Sequence, residues 1–142
     1  MFYFLLIVNK NGSLIYDKSI SVNLQLNSNE VINMASIFYS MHAISSKLTP
    51  PGYEKTSELK LENNGIEIIE SSAMKLVCKQ TLTKIKFILV TDPATSNDEI
   101  EKTFNKIYNL YSDTVSKNPF YDLDMPIRLD NFDIGINNIF KI

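Results

Sequence analysis

Two stretches decide the fold: Phe2-Tyr3-Phe4-Leu5-Leu6-Ile7-Val8 and Phe87-Ile88-Leu89-Val90. Both are apolar at odd and even positions alike. A half-exposed strand alternates apolar and polar residues because successive side chains point to opposite faces, so a run apolar at both parities belongs to a strand covered on both. The two runs are therefore expected as the inner strands of a sheet flanked by helices. Next to the first run, Asn11-Gly12 signals a hairpin, and Ser13-Leu14-Ile15-Tyr16 returns as a second strand. Asp17 to Asn27 reads as a connection. Before the second run, strands are expected over Gly65 to Glu70 and Met74 to Gln80, with Lys84 to Thr91 as the last strand. On that last pair the expectation is that Leu76, Cys78, Phe87 and Leu89 share one face, and Lys75, Lys79, Lys84 and Lys86 the other.

Helices fill the intervals. Asn27 can cap a first helix with Glu30 three residues on, a capping-box spacing, and Thr49-Pro50-Pro51-Gly52 stops it. Val31, Ala35, Phe38 and His42 make one apolar stripe. Ile37, Met41, Ile44 and Leu48 make a second beside it, so the apolar surface is wider than one sheet contact needs. Either the helix is deeply buried, or one side covers its own sheet and the other meets a partner. Ser96 and Glu99 open a second helix with the stripe Ile100, Phe104, Ile107, Tyr108, Tyr111 and Val115, ended by Asn118-Pro119. A short helix near Asn131 to Phe140 presents Phe132, Ile136, Ile139 and Phe140. Thr49 to Asn64 is polar, carries two prolines and reads as an exposed loop. The order is ββ-α-βββ-αα. It predicts one α+β domain over residues 1–142, an antiparallel five-stranded sheet with one helix on one face and two on the other.

Composition narrows the function classes. The chain has 142 residues, and roughly 150 residues per domain points to one domain. With 14 Lys+Arg against 16 Asp+Glu the net charge is −2, not the basic balance of a nucleic-acid binder. Arg128 is the lone arginine, so bidentate phosphate clamps are not expected. One cysteine, Cys78, allows no internal disulfide and suits a reducing, cytosolic compartment. The run from Phe2 to Val8 has no basic residue before it and is too short to span a membrane.

No catalytic pattern stands out. Gly12, Gly52, Gly65 and Gly135 are too scattered for a phosphate loop, and one Cys with one His gives no zinc spacing. A Cys78–His42 nucleophilic pair would need both at a cleft, whereas Cys78 alternates with Leu76 on an inward face as a small hydrophobe. Asp122, Asp124, Asp130 and Asp133 could supply paired acids or simply form a solvated loop. The lysine face is either a solvated outer strand or a surface for anionic lipid or an acidic partner. No cofactor and no metal are expected.

Three blocks of wording then carry a resemblance. The first is Ser28-Asn29-Glu30 leading to Met34-Ala35-Ser36-Ile37-Phe38 and Ala43-Ile44. The second is Lys75-Leu76, Cys78, Gln80-Thr81-Leu82-Thr83 and Ile85-Lys86-Phe87, closing at Asp92-Pro93. The third is Ile107-Tyr108, Tyr111-Ser112-Asp113, Lys117-Asn118-Pro119-Phe120-Tyr121 and Met125-Pro126-Ile127-Arg128. Together with Val8-Asn9-Lys10 and Leu14-Ile15-Tyr16 they resemble the sybindin-like family, the synbindin type of small subunit in the TRAPP vesicle-tethering complex. The resemblance implies a longin-like (profilin-like) fold, the order already read from burial. Animal synbindins carry a PDZ-like insertion after the second strand; here only Asp17 to Asn27 fills that gap. The Thr49 to Asn64 loop looks longer than the family's usual one.

The resemblance implies a non-catalytic TRAPP core subunit in ER-to-Golgi transport. Such a subunit pairs with another small longin-like subunit and contributes to a composite surface that releases GDP from a Rab-type GTPase. It would be cytoplasmic, peripheral at the cis-Golgi and endoplasmic reticulum, with a peripheral membrane contact and no nucleic acid. The alternative is a small longin-type chain of a coat adaptor or sorting complex. Expected partner contacts are Ile37, Met41, Ile44 and Leu48 with Ile66 and Ile68, and as a second surface Asn118, Pro119, Phe120, Tyr121 and Arg128. The competing reading of that second surface is a loop folded onto its own domain through Phe120 and Met125.

Overall fold

Strand β5 (Lys86–Thr91) is buried along its whole length and forms the middle of the sheet. Antiparallel to it on one side runs β1 (Phe2–Val8), with Leu5 opposite Leu89 and Leu6 opposite Ile88. β2 (Leu14–Ser19) pairs with β1 and closes that edge. On the other side come β4 (Lys75–Gln80) and the short β3 (Ile68–Glu70), giving the order β2-β1-β5-β4-β3. This computed structural model describes residues 1–48, 65–122 and 124–141. The loop expected over 49–64 lies outside the described residues.

Both faces of the inner strands are covered, as their unbroken apolar runs require. Phe4, Leu6, Val8, Ile88 and Val90 pack beneath α1 (Ser28–Lys47) through its Val31, Ala35 and Phe38. Leu5, Ile7, Phe87 and Leu89 pack on the other side against α2 (Asn97–Tyr111) and α3 (Asp130–Phe140) through Phe104, Ile107, Phe132 and Ile136. A π-helical turn, Ser112–Ser116, prolongs α2 and buries Val115. The α+β layering, the inner place of the first and last strands and the longin-like ββ-α-βββ-αα chain order are those read from the sequence.

The first hairpin is broader than an Asn-Gly two-residue turn. Asn9 organises it: its side-chain oxygen accepts from the amides of Asn11 at 3.0 Å and Ser13 at 2.9 Å. Gly12 sits at φ 88°, and a Cβ there would come within 2.7 Å of the Tyr39 ring of α1. Only glycine meets both demands, the left-handed backbone and the close helix.

One expectation is overturned, and the cause is register. β4 and β5 pair Cys78 with Ile88 and Lys79 with Phe87. Leu76 and Cys78 therefore share a face with Ile88 and Val90 under α1, while Phe87 and Leu89 point to α2 with Val77. A one-residue change of register moves every side chain of a strand to the opposite face. The intervening turn has Lys84 at φ 67°, which fixes that register. The lysines are split as well. Lys75 donates to Asn97 at 2.7 Å and Lys79 to Glu101 at 3.0 Å, both on α2, whereas Lys86 lies over the Tyr39 ring on the α1 side. They do not make one basic face.

Candidate partner-binding surface

α1 is well anchored at its start. The Asn27 side chain accepts from the Glu30 amide and the Glu30 carboxylate accepts from the Asn27 amide, each at 2.9 Å. This reciprocal box satisfies two amides that a helix start otherwise leaves unpaired. Val31, Ala35, Phe38 and His42 are buried toward the sheet. The next stripe is not: Ile37 is 60 % exposed, Met41 40 %, Ile44 61 % and Leu48 69 %. Their steps of four, three and four residues hold them in one row along the helix. An uncovered row of four large apolar side chains is the kind of surface that marks a protein contact rather than a solvated face.

β3 contributes less uniformly than expected. Ile66, just before the strand, is half-buried against the core under α1. Ile68 stands opposite Val77 in the ladder, so its exposed side chain belongs to the α2 side of this edge. The structure thus brings Ile37, Met41, Ile44 and Leu48 together on α1, sets Ile66 beneath that helix, and puts Ile68 around the edge of the sheet.

The second surface is a fixed loop with an outward aromatic. Asn118 accepts from the Phe120 amide at 3.0 Å through its side chain and from the Tyr121 amide at 3.2 Å through its carbonyl. Tyr121 donates its hydroxyl to the Met125 carbonyl at 2.8 Å, and the Ile127 amide donates to the Ile15 carbonyl at 2.8 Å. Ile127 is buried, yet Phe120 is 92 % exposed and Met125 half exposed. The loop therefore rests on its own domain through Tyr121 and Ile127, not through Phe120 and Met125 as the competing reading had it. Pro119 and Arg128 are exposed, and Arg128 borders a groove of about 570 Å³ with Lys117 and Asp130.

The residues weighed for catalysis have structural surroundings. Cys78 and His42 do line one cavity, of about 420 Å³. Burial pushes the Cys78 thiol up to about 12, with nearby Lys86 pulling the other way. An activated thiol needs the opposite shift. Asp124 accepts from the side chains of Asn9 at 3.3 Å and Asn11 at 3.5 Å, and Asp133 accepts from the Tyr16 hydroxyl at 2.7 Å. Burial first, and then the Asp133 carboxylate, raise the Tyr16 hydroxyl well above the usual tyrosine range. Among the described residues no group of three or more His, Cys, Asp or Glu is placed to hold a metal ion, and no helix is long and apolar enough to cross a membrane. Leu82, wholly exposed in the β4–β5 turn, is not singled out by the sequence reading. Its signal is an apolar residue set between two threonines where a turn must be.

Comparison with known proteins adds the lineage. The chain is 40 % identical over 136 residues to trafficking protein particle complex subunit 4 of Dictyostelium discoideum, covering 96 % of this chain and 93 % of that one. With the Homo sapiens subunit 4 it shares 44 % identity over 109 residues, 77 % of this chain but 45 % of the human one. Dictyostelium discoideum subunit 1 of the same complex is 27 % identical, covering 99 % and 95 % of the two chains. Among solved structures, Myxococcus xanthus MglB superposes with a TM-score of 0.53 at 17 % identity over 79 % of this chain and 85 % of its own. A chain of an AP-3 complex homology model gives 0.52 at 16 % identity over 96 % and 74 %. These two likenesses speak for the fold alone. Residues 2–142 match the Sybindin-like family from end to end, and the chain belongs to that family.

Proposed function

We propose that this chain is a small subunit of the TRAPP vesicle-tethering complex. It pairs with a second longin-like subunit through the Ile37, Met41, Ile44 and Leu48 row of α1 and the edge at Ile66 and Ile68. In this reading its role is to be held and to present surface, not to carry out covalent chemistry. The observation that carries the pairing is the uncovered row on α1, beside a stripe that already satisfies the chain's own sheet. Likeness to named TRAPP subunits over nearly the whole chain supplies the complex.

The finer reading is that the assembled subunits act on a Rab-type GTPase in ER-to-Golgi transport, with this chain peripheral at the cis-Golgi and endoplasmic reticulum. Asn118 to Arg128, with Phe120 held outward, is the segment offered to a neighbouring subunit or to the GTPase. Such a surface must bind the nucleotide-free GTPase more tightly than the loaded form, because only differential affinity shifts an equilibrium.

Met41→Asp tests the pairing. Met41 is partly exposed and lies outside both core clusters, so the isolated variant should unfold within about 0.5 kcal/mol of the parent. A buried, unpaired carboxylate at the centre of the row should cost several kcal/mol of association and abolish co-purification with the longin-like partner. Undiminished co-purification would move the interface off α1.

A further inference from the structure

The turn that joins β1 to β2 is also a clasp on the loop that carries Phe120. One oxygen of Asp124 accepts from the side-chain amide of buried Asn9 at 3.3 Å and from that of exposed Asn11 at 3.5 Å. No ion pair joins Asp124 to a cation among the described residues. The donors that meet its carboxylate at the turn are neutral amides.

The same turn holds a chemically labile pair. The fold demands glycine at Gly12, where φ is 88° and a Cβ would strike the Tyr39 ring. Asn11 stands directly before it, and its side chain is in solvent. In an Asn-Gly pair the following amide nitrogen can attack the asparagine side-chain carbon, because glycine puts no side chain in the way. One hydrogen bond restrains that nitrogen, from the Gly12 amide to the Asn9 carbonyl at 3.1 Å. The clasp and the labile pair share one residue.

We propose that Asn11 is a site of deamidation, and that the change releases the Phe120 loop from the hairpin. The Gly12 nitrogen gives up its proton and bonds to the Asn11 Cγ. The bond from Cγ to the side-chain nitrogen breaks, and that nitrogen leaves as ammonia with the proton. Water then opens the succinimide ring at either carbonyl, returning a hydrogen to the Gly12 nitrogen and leaving aspartate or isoaspartate. Nothing is oxidised or reduced, and water is the one co-reactant. Aspartate puts a carboxylate where an amide now donates, so the contact with Asp124 becomes a like-charge one. Isoaspartate also lengthens the main chain by a carbon between the Asn11 and Ser13 amides, which Asn9 holds at 3.0 and 2.9 Å.

The test incubates the full folded chain at neutral pH and follows Asn11 by peptide mass mapping, with isoaspartate read by enzymatic carboxyl methylation. Mapping separates Asn11 from the other Asn-Gly pair of the sequence, Asn64-Gly65. The expected result is a gain of about one dalton at Asn11, at no less than about a tenth of the rate in the urea-unfolded chain. A folded chain that stays unmodified while the unfolded chain reacts overturns the site. Asn11→Asp, made outright, should speed hydrogen exchange at the Met125 and Ile127 amides by about threefold or more, while Leu89 in the sheet is unchanged. Asn11→Asp combined with Asp124→Asn removes the repulsion and should return exchange to the parent rate. Unchanged exchange in Asn11→Asp, or no recovery in the double variant, overturns the release. Neither readout involves a partner, so the outcome stands apart from the pairing proposed through α1.

Discussion

Cys78 shows how burial decides chemistry at the scale of one side chain. It lies under α1 among Leu76, Ile88 and Val90, and its thiol is pushed up to about 12 by the loss of water. In the unfolded chain the same thiol ionises near ~8.5. Because the folded value is the higher one, the neutral thiol favours the fold, and that contribution is complete below the unfolded value. Above it, between about 8.5 and 12, each pH unit removes about 1.4 kcal/mol as the unfolded state gains the thiolate. At pH 7.5 a disulfide reagent such as dithionitrobenzoate should therefore label Cys78 only as fast as the protein opens, and immediately in denaturant. Rapid labelling of the native chain would mean an activated thiol and revive the thiol chemistry weighed against it. That Cys78 is buried was legible from its alternation with Leu76. Its sharing a cavity with His42 was not, because that needs a residue of α1 and a residue of β4 to meet.

Adjacent residues of α1 belong to different environments, and this separates self-packing from partner-packing at the scale of one element. Phe38 is buried in the core and touches the sheet, while Ile37 is mostly in solvent. Phe38→Ala should lower the unfolding free energy of the isolated chain by about 3–5 kcal/mol, measured by urea titration. Ile37→Ala should change it by less than about 0.5 kcal/mol yet weaken the complex. Equal losses from both would mean that Ile37 is already covered within its own fold. Helix placement was readable because it is signalled locally, by Asn27 with Glu30 and by Ser96 before Glu99. Strand faces were not readable with the same certainty. Phe87 to Val90 is apolar at both parities, so no hydrophobic pattern distinguishes its two registers against β4. The left-handed Lys84 in the turn decided between them, and nothing in the type of that residue announces such a backbone.

For the molecule as a whole, the same sheet must serve two demands, a core on each face and apolar surface left over. Both helical layers are complete without help: α1 has its stripe on β1 and β5, and α2 with α3 has another on the opposite side. This is why the layer order could be derived from inner-strand composition, whereas Leu82 and Ile68 could not be placed until the turn and the short edge strand were seen. The surplus row on α1 then couples stability to assembly. A partner that binds only the folded chain stabilises it by about 2.7 kcal/mol at a hundredfold excess over Kd. For a domain of 142 residues that corresponds to a rise in Tm on the order of 5–10 °C. Thermal unfolding of the chain titrated with its longin-like partner should show this concentration-dependent rise. The Met41→Asp chain should start from nearly the same Tm and gain nothing from the partner. A rise that survives in Met41→Asp would assign the binding energy to another face, with the Phe120 loop as the surface to substitute next.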